Sequence, residues 1–208
     1  MIIILDYGMG NTGSILNMIR KVGGQATITS DNDLIMAASA IILPGVGAFD
    51  NGMTKLKSSG ILEPLELQVL RNKIPFLGIC LGMQLLFEKS EEGHLNGLGW
   101  IPGDVKRFDF SAIEQRGLKI PTMGWNEVQL AGNSPLFRGL EEEARFYFVH
   151  SYHVVCSSNE NALATANYGY PYVSAVQNEN IYGVQFHPEK SHRFGMTLFK
   201  NFLEMSSC

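Results

Sequence analysis

Cysteine, charge and long apolar runs are all scarce in this chain of 208 residues. Each scarcity narrows its class. Three cysteines, odd in number and far apart, do not make a disulfide framework and fit a reduced, cytoplasmic enzyme. Charged residues amount to 17%, the net charge is −4 and no basic cluster occurs, which argues against nucleic acid as a partner. No apolar run reaches the 18 or so residues of a membrane span, so no membrane association is expected. Met1 leads straight into Ile2-Ile3-Ile4-Leu5 without a basic stretch or cleavage site, and no secretory leader is expected. Cys-x-x-Cys and His-Glu-x-x-His are both missing, so neither metal nor cofactor is expected.

Apolar residues, by contrast, make up 45% of the chain, enough for the core of a single domain spanning residues 1–208. Glycine is in excess, with 22 residues against about 15 at average usage, which implies tight turns or close backbone approaches. Residues 2–6 form a short continuous apolar run, the pattern of a strand buried on both faces. Residues 26–29, 40–43 and 74–79 read as further strands, with helices between them, one at about residues 63–71. The alternation predicts an α/β fold: an open, mixed, mainly parallel sheet flanked by helices, with additional antiparallel strands in the second half. Those later strands are expected at residues 105–108, 128–130, 146–155, 162–166, 173–177 and 181–186. A closing amphipathic helix would bury Met196, Phe199, Phe202 and Leu203.

Three constellations compete for the chemistry. Gly8-x-Gly10-x-x-Gly13 follows a buried strand and opens a helix, and Asp31 comes 18 residues after Gly13. That satisfies most of a dinucleotide-binding fingerprint; the plainer alternative is a glycine-rich turn at the sheet edge. Gly78-Ile79-Cys80-Leu81-Gly82 is a nucleophile elbow with cysteine in the serine position. A sharp strand-to-helix turn projects the side chain and needs small flanking residues. The following helix N-terminus would favour thiolate, and the Leu81 N–H would face an oxyanion. Phe186-His187-Pro188-Glu189 supplies a base and, two residues on, a carboxylate on the same face of an extended chain. Cys80, His187 and Glu189 thus make a candidate triad. The order disfavours an ordinary α/β-hydrolase, where the acid precedes the histidine. Cys156 reads as a core thiol and Cys208 as a bystander. His150 and His153, three apart in a strand-like run, should face opposite sides.

Taken together, Gly78-Ile79-Cys80-Leu81-Gly82-Met83-Gln84 and Gln185-Phe186-His187-Pro188-Glu189 resemble the class I, triad-type glutamine amidotransferases. Asp6-Tyr7-Gly8-Met9-Gly10-Asn11, Pro44-Gly45-Val46-Gly47-Ala48-Phe49, Met123-Gly124-Trp125-Asn126 and Tyr147-Phe148-Val149-His150-Ser151-Tyr152 are more specifically similar to the glutaminase subunits of imidazole glycerol phosphate synthases. The resemblance implies hydrolysis of L-glutamine to glutamate and ammonia. It places Gly45, Val46 and Gly47 beside the oxyanion, and Gly47, Gln84, Glu92 and the backbone of Ser151 and Tyr152 around the substrate. The alternative for Glu92 is a solvated acid beside Glu91. Asn11, Trp125 and Lys190 would face a (βα)8-barrel cyclase in a heterodimer, and ammonia would pass to it for making imidazole glycerol phosphate and AICAR from PRFAR in histidine synthesis. The Gly8–Asn11 turn then becomes a docking loop. One departure is Thr122, where the family has histidine; with the long 108–119 segment it is expected near the partner surface. Some relatives of this kind feed a synthase that amidinates surface-polysaccharide sugars, and that alternative stays open.

Overall fold

A computed structural model describes residues 1–113, 117–140 and 144–206; Cys208 and part of the 108–119 segment lie outside them. The apolar run at the start forms β1 (Ile2–Leu5), buried throughout. Its side chains alternate between two cores: Ile2 and Ile4 face one, Ile3 and Leu5 the other. β3 (Ala40–Gly45) and β4 (Phe76–Cys80) divide their residues in the same way. A strand buried on both faces has no polar side to alternate with, which is why these read as unbroken apolar runs. Each such Ile or Leu contributes about 1.5–3 kcal/mol by leaving water.

On the first face lie α1 (Thr12–Lys21), through Ile15 and Ile19, and the closing helix α6 (His192–Met205), through Leu198, Phe199 and Phe202. Between α1 and β3 come β2 (Ala26–Thr29) and α2 (Asn32–Met36). The opposite face is covered by Ile35 of α2, by Phe49, Met53 and Leu56 of α3 (Phe49–Ser58), and by Leu65 of α4 (Leu62–Glu66). Here α3 is an addition to the sequence reading, because Gly52 interrupts its pattern. The helix read at residues 63–71 is α4 continued by a π turn over Leu67–Arg71. In α6 the buried face is centred on Leu198, while Met196 and Leu203 are only half-buried.

After β4 come the single turn α5 (Leu81–Gln84), β5 (Lys89–Ser90), β6 (Gly103–Arg107), β7 (Thr122–Glu127), β8 (Gln129–Leu130), β9 (Arg145–His150), β10 (Tyr152–Cys156), β11 (Ala162–Tyr168), β12 (Tyr170–Asn178) and β13 (Ile181–Val184). The main sheet runs β2-β1-β3-β4-β13-β12-β10-β6-β5, parallel from β2 to β13 and antiparallel from β13 to β6, with β11 and β8 attached at β12. β7 and β9 form a separate antiparallel pair. The run read as one strand over residues 146–155 is therefore two strands in different sheets, broken at Ser151. Strands β3, β4 and β13 are parallel neighbours, so their C-terminal ends open on one edge, where open α/β sheets place their ligands. Among the described residues no helix is long and apolar enough to cross a membrane.

Candidate active site

At the end of β4 the chain turns sharply into α5, and Cys80 sits on the corner with φ +55°. Such a backbone costs a non-glycine residue about 1–3 kcal/mol and persists only where its surroundings impose it. The imposition is visible. A methyl at Gly82 would lie 2.0 Å from the Leu43 carbonyl oxygen, one at Gly78 2.6 Å from the Gly82 carbonyl oxygen, and one at Gly45 2.7 Å from the Gly82 amide nitrogen. The elbow thus needs glycine on both flanks and on the neighbouring strand. The helix behind it is one turn long, so the dipole expected to favour a thiolate is small.

His187 lies three residues beyond β13. Its Nδ1 lies 2.8 Å from Glu189 Oε1, and the two side chains are only 3% and 2% exposed. Burial works against a charge on the imidazole, but Cys80 and Glu189 overcome it and raise the basicity to about 10. Nε2 has no hydrogen-bond partner among the described residues, and the ring shares a cavity wall with Cys80. The backbone is clamped: His187 N–H donates to Tyr147 O, while the buried Ser191 hydroxyl donates to His187 O and accepts from Tyr147 N–H.

Cys80 and His187 open into a cavity of about 410 Å³. Every residue the sequence placed around the substrate lines it: Gly47, Gln84, Glu92, Ser151 and Tyr152, together with Val46. Gly45 and Leu81 sit behind, at the strand end and the elbow. Ala48, Pro121, Val149 and His150 complete the wall unforeseen; the last two come from β9, just before the break at Ser151, which is a tertiary event. Glu92 is not the solvated member of its pair. Glu91 faces water and pairs with Lys106, whereas Glu92 is half-buried, accepts from Phe49 N–H at 2.9 Å, and has its carboxyl pushed up by burial. Tyr7, on the other side, donates its hydroxyl to Pro44 O at 2.7 Å. A larger cleft of about 570 Å³ lies between Met1, Gly23 and α6 at the far end of β1 and is lined by neither cysteine nor histidine.

The chain matches the model of the glutamine amidotransferase class-I family over residues 3–205. It belongs to that family. This amidotransferase is 53% identical to the imidazole glycerol phosphate synthase subunit HisH 2 of Methanococcus maripaludis, over 99% of this chain and 100% of that one. It is 50% identical to subunit HisH of Bdellovibrio bacteriovorus over the same shares. Among solved structures, the chain superposes on PurLQS of Thermotoga maritima with a TM-score of 0.71, at 16% identity over 98% of this chain and 97% of that one. A glutamine amidotransferase of Thermotoga maritima gives 0.61 at 19% identity, over 90% and 75%. These two likenesses concern the fold.

In the amidotransferase the first glycine motif and Asp31 are engaged within the protein. A methyl at Gly10 would strike Pro44 Cβ at 2.7 Å, and Asp31 spends its carboxylate capping α2 at the amides of Asp33 and Leu34. Asn11 caps α1 through Ser14 N–H. Of the residues read as partner-facing, Trp125 is 48% exposed and stacks on His192 at 5.4 Å, and Lys190 lies over the Tyr147 ring. Met123, 66% exposed, joins this patch. Thr122 does not: it is buried and pairs across β7 and β9 with His150, which puts the departure behind the cavity wall. His150 and His153 do not diverge either. Both rings pack on Phe108, at 5.2 and 4.9 Å, because the break at Ser151 resets the alternation, and burial lowers the basicity of both, of His150 to about 4. Cys156 is half-buried at the end of β10, not in the core.

Proposed function

We propose that this chain, as one domain, hydrolyses the side-chain amide of L-glutamine at Cys80 and hands the ammonia to a partner subunit. The observation that carries the reading is the convergence on one cavity of a cysteine on a strained elbow and a buried His187–Glu189 pair. With its proton already resting on His187, Sγ attacks the amide carbon. N–H groups of Leu81 and of the 45–47 segment receive the developing oxyanion. Collapse breaks the C–N bond, and His187 returns the proton to the departing ammonia, leaving a γ-glutamyl thioester. Water attacks next, giving its proton to His187; the C–S bond breaks and glutamate leaves. Glu189 fixes the imidazole tautomer and balances its charge.

Recognition follows from what is already engaged. The Ser151 carbonyl accepts from Phe108 N–H, and the Tyr152 carbonyl from Gln84 and His150. That segment therefore serves the substrate through N–H groups, which suit a carboxylate. Glu92 suits the ammonium.

The curated relatives, named as subunits of imidazole glycerol phosphate synthase, support a place as the glutaminase subunit of that synthase. We infer that it serves histidine biosynthesis in the cytoplasm beside a (βα)8-barrel cyclase that converts PRFAR to imidazole glycerol phosphate and AICAR. Ammonia near neutral pH is mostly ammonium and non-nucleophilic, so direct passage to the partner is required. The exposed Met123, Trp125 and Lys190 patch is the docking face. Thr122 in place of histidine keeps a second reading in view, the same glutaminase feeding a sugar-amidinating synthase. Glutamate release from glutamine, with and without the cyclase, tests the chemistry: Cys80→Ala should abolish it, and retention would refute the triad. Rescue of a histidine auxotroph lacking its own glutaminase subunit tests the pathway. An active chain that fails to rescue belongs to the second reading.

A further inference from the structure

Gln185 lies between β13 and His187, is fully buried, and takes no part in the scheme above. A wholly buried carboxamide must satisfy both ends. Its Oε1 accepts from Gln84 Nε2 at 2.9 Å, and its Nε2 lies 3.7 Å from Cys80 Sγ, a reach that the large sulfur permits.

The polarity of this arrangement is forced by a group that cannot turn over. The Tyr152 backbone carbonyl only accepts. It takes Gln84 Nε2 at 3.2 Å and His150 Nδ1 at 2.7 Å, so Gln84 must present nitrogen and His150 must carry its proton on Nδ1. Gln84 therefore offers a donor to Gln185 as well. Gln185 answers with oxygen, and only its nitrogen is left to face the sulfur. One backbone carbonyl, two carboxamides and the nucleophile form a directed chain, Tyr152 O to Gln84 to Gln185 to Cys80.

We propose that Gln185 is a positioning residue for the nucleophile: its carboxamide, oriented through Gln84 by the Tyr152 carbonyl, donates to Cys80 Sγ and ties the substrate-recognition wall to the sulfur. This rests on the glutaminase reading of Cys80. A donor aimed at sulfur favours the anion over the thiol and restrains the Sγ rotamer. Because Gln84 uses both donors inside the protein, it meets the substrate only as an acceptor through Oε1. A substrate that pulls on Gln84 is thereby felt at the nucleophile.

The test is alkylation of Cys80 by iodoacetamide in the full chain across a pH series, read on the Cys80 peptide by mass spectrometry so that Cys156 does not contribute. Gln185→Glu keeps the acceptor for Gln84 but removes the donor and places negative charge beside sulfur. Gln185→Met removes both polar ends at similar volume. Each should slow alkylation at neutral pH about tenfold, the scale of one hydrogen bond to a charged group, and move the pH–rate curve to higher pH. An unmoved curve in a folded variant overturns the proposal. Should neither variant fold, the unaltered protein decides: the Gln185 side-chain 15N resonance should move in step with ionisation of Cys80, and a resonance blind to it overturns the proposal too. Glutaminase activity separates the two levels. Loss of activity with an unmoved alkylation curve refutes the role of Gln185 and leaves the triad standing, whereas activity in Cys80→Ala refutes the triad itself.

Discussion

Replacing Glu189 by glutamine keeps the shape of the pair and removes its charge, which makes it a sharp probe of how the site is powered. The Nδ1–Oε1 distance is 2.8 Å and both side chains are shut off from water, so solvent screens the pair little. With charge centres about 4 Å apart and an effective dielectric near 20, the attraction between imidazolium and carboxylate is about 4 kcal/mol. The glutamine carbonyl can still accept from Nδ1–H and recovers part of it, so about 2–3 kcal/mol should be lost, the worth of a charged hydrogen bond. That corresponds to about a 30- to 150-fold fall. It should appear in kcat of glutamate release, with KM for glutamine nearly unchanged, since the charge is needed when His187 is protonated and Glu189 does not line the cavity. The sign of the pH effect is fixed as well. Protonated His187 persists until the pH passes about 10, and in the variant this limb should move to lower pH. By linkage the raised basicity stabilises the fold fully below the unfolded value near 6.5, and the contribution is lost as pH rises through about 10. The variant should lose that slope in urea unfolding. A fall of less than threefold, or one carried by KM, would refute the reasoning.

Gly82→Ala drives a methyl into the Leu43 carbonyl and should cost about 3 kcal/mol or more in urea unfolding, by overpacking. Gly13→Ala, in the open first turn of α1, should instead stabilise by about 0.5–1 kcal/mol. Comparable effects would mean that glycine is needed at the elbow for some other reason. Buried His150 titrates at about 4 instead of near 6.5, so its neutrality supports the fold fully above pH 6.5, and that support should fade as pH falls toward 4. His150→Asn should flatten this part of the thermal-stability curve, and an unchanged slope counts against it. Trp125→Ala should leave the melting temperature of the isolated chain within about 2 °C, as an exposed side chain does. It should weaken cyclase binding at least tenfold by calorimetry if the patch docks there.

Most of the parallel sheet was legible because β1, β3 and β4 are buried on both faces and carry nothing but apolar residues over most of their length. What escaped did so for identifiable reasons. In α3 only Phe49, Met53 and Leu56 mark a face, and Gly52 stands among them because Leu81 and Leu85 press close. In β7 the main-sheet alternation never develops, since only Thr122 is buried. At the site, the elbow and the His-Pro-Glu turn were readable because their geometry is local: flanking glycines, a proline, a spacing of two. The wall formed by Val149 and His150 was not, because it depends on where β9 leaves one sheet and β10 enters another. Gln185 was invisible as a polar actor, since both of its partners are about a hundred residues away in sequence.

The loop between β3 and α3 is fastened at both ends. Tyr7 holds the Pro44 carbonyl at one, and the Glu92 carboxylate holds the Phe49 amide at the other. What is left between the fasteners is Val46, Gly47 and Ala48, all exposed. A three-residue bridge between fixed abutments cannot swing as a lid, but its peptide planes can rotate in place, and Gly47 already sits at φ +101°. Fixing such a span costs about 3–6 kcal/mol of backbone entropy at most. Because all three residues line the cavity, any turn of these peptide planes is made in the wall of the site itself.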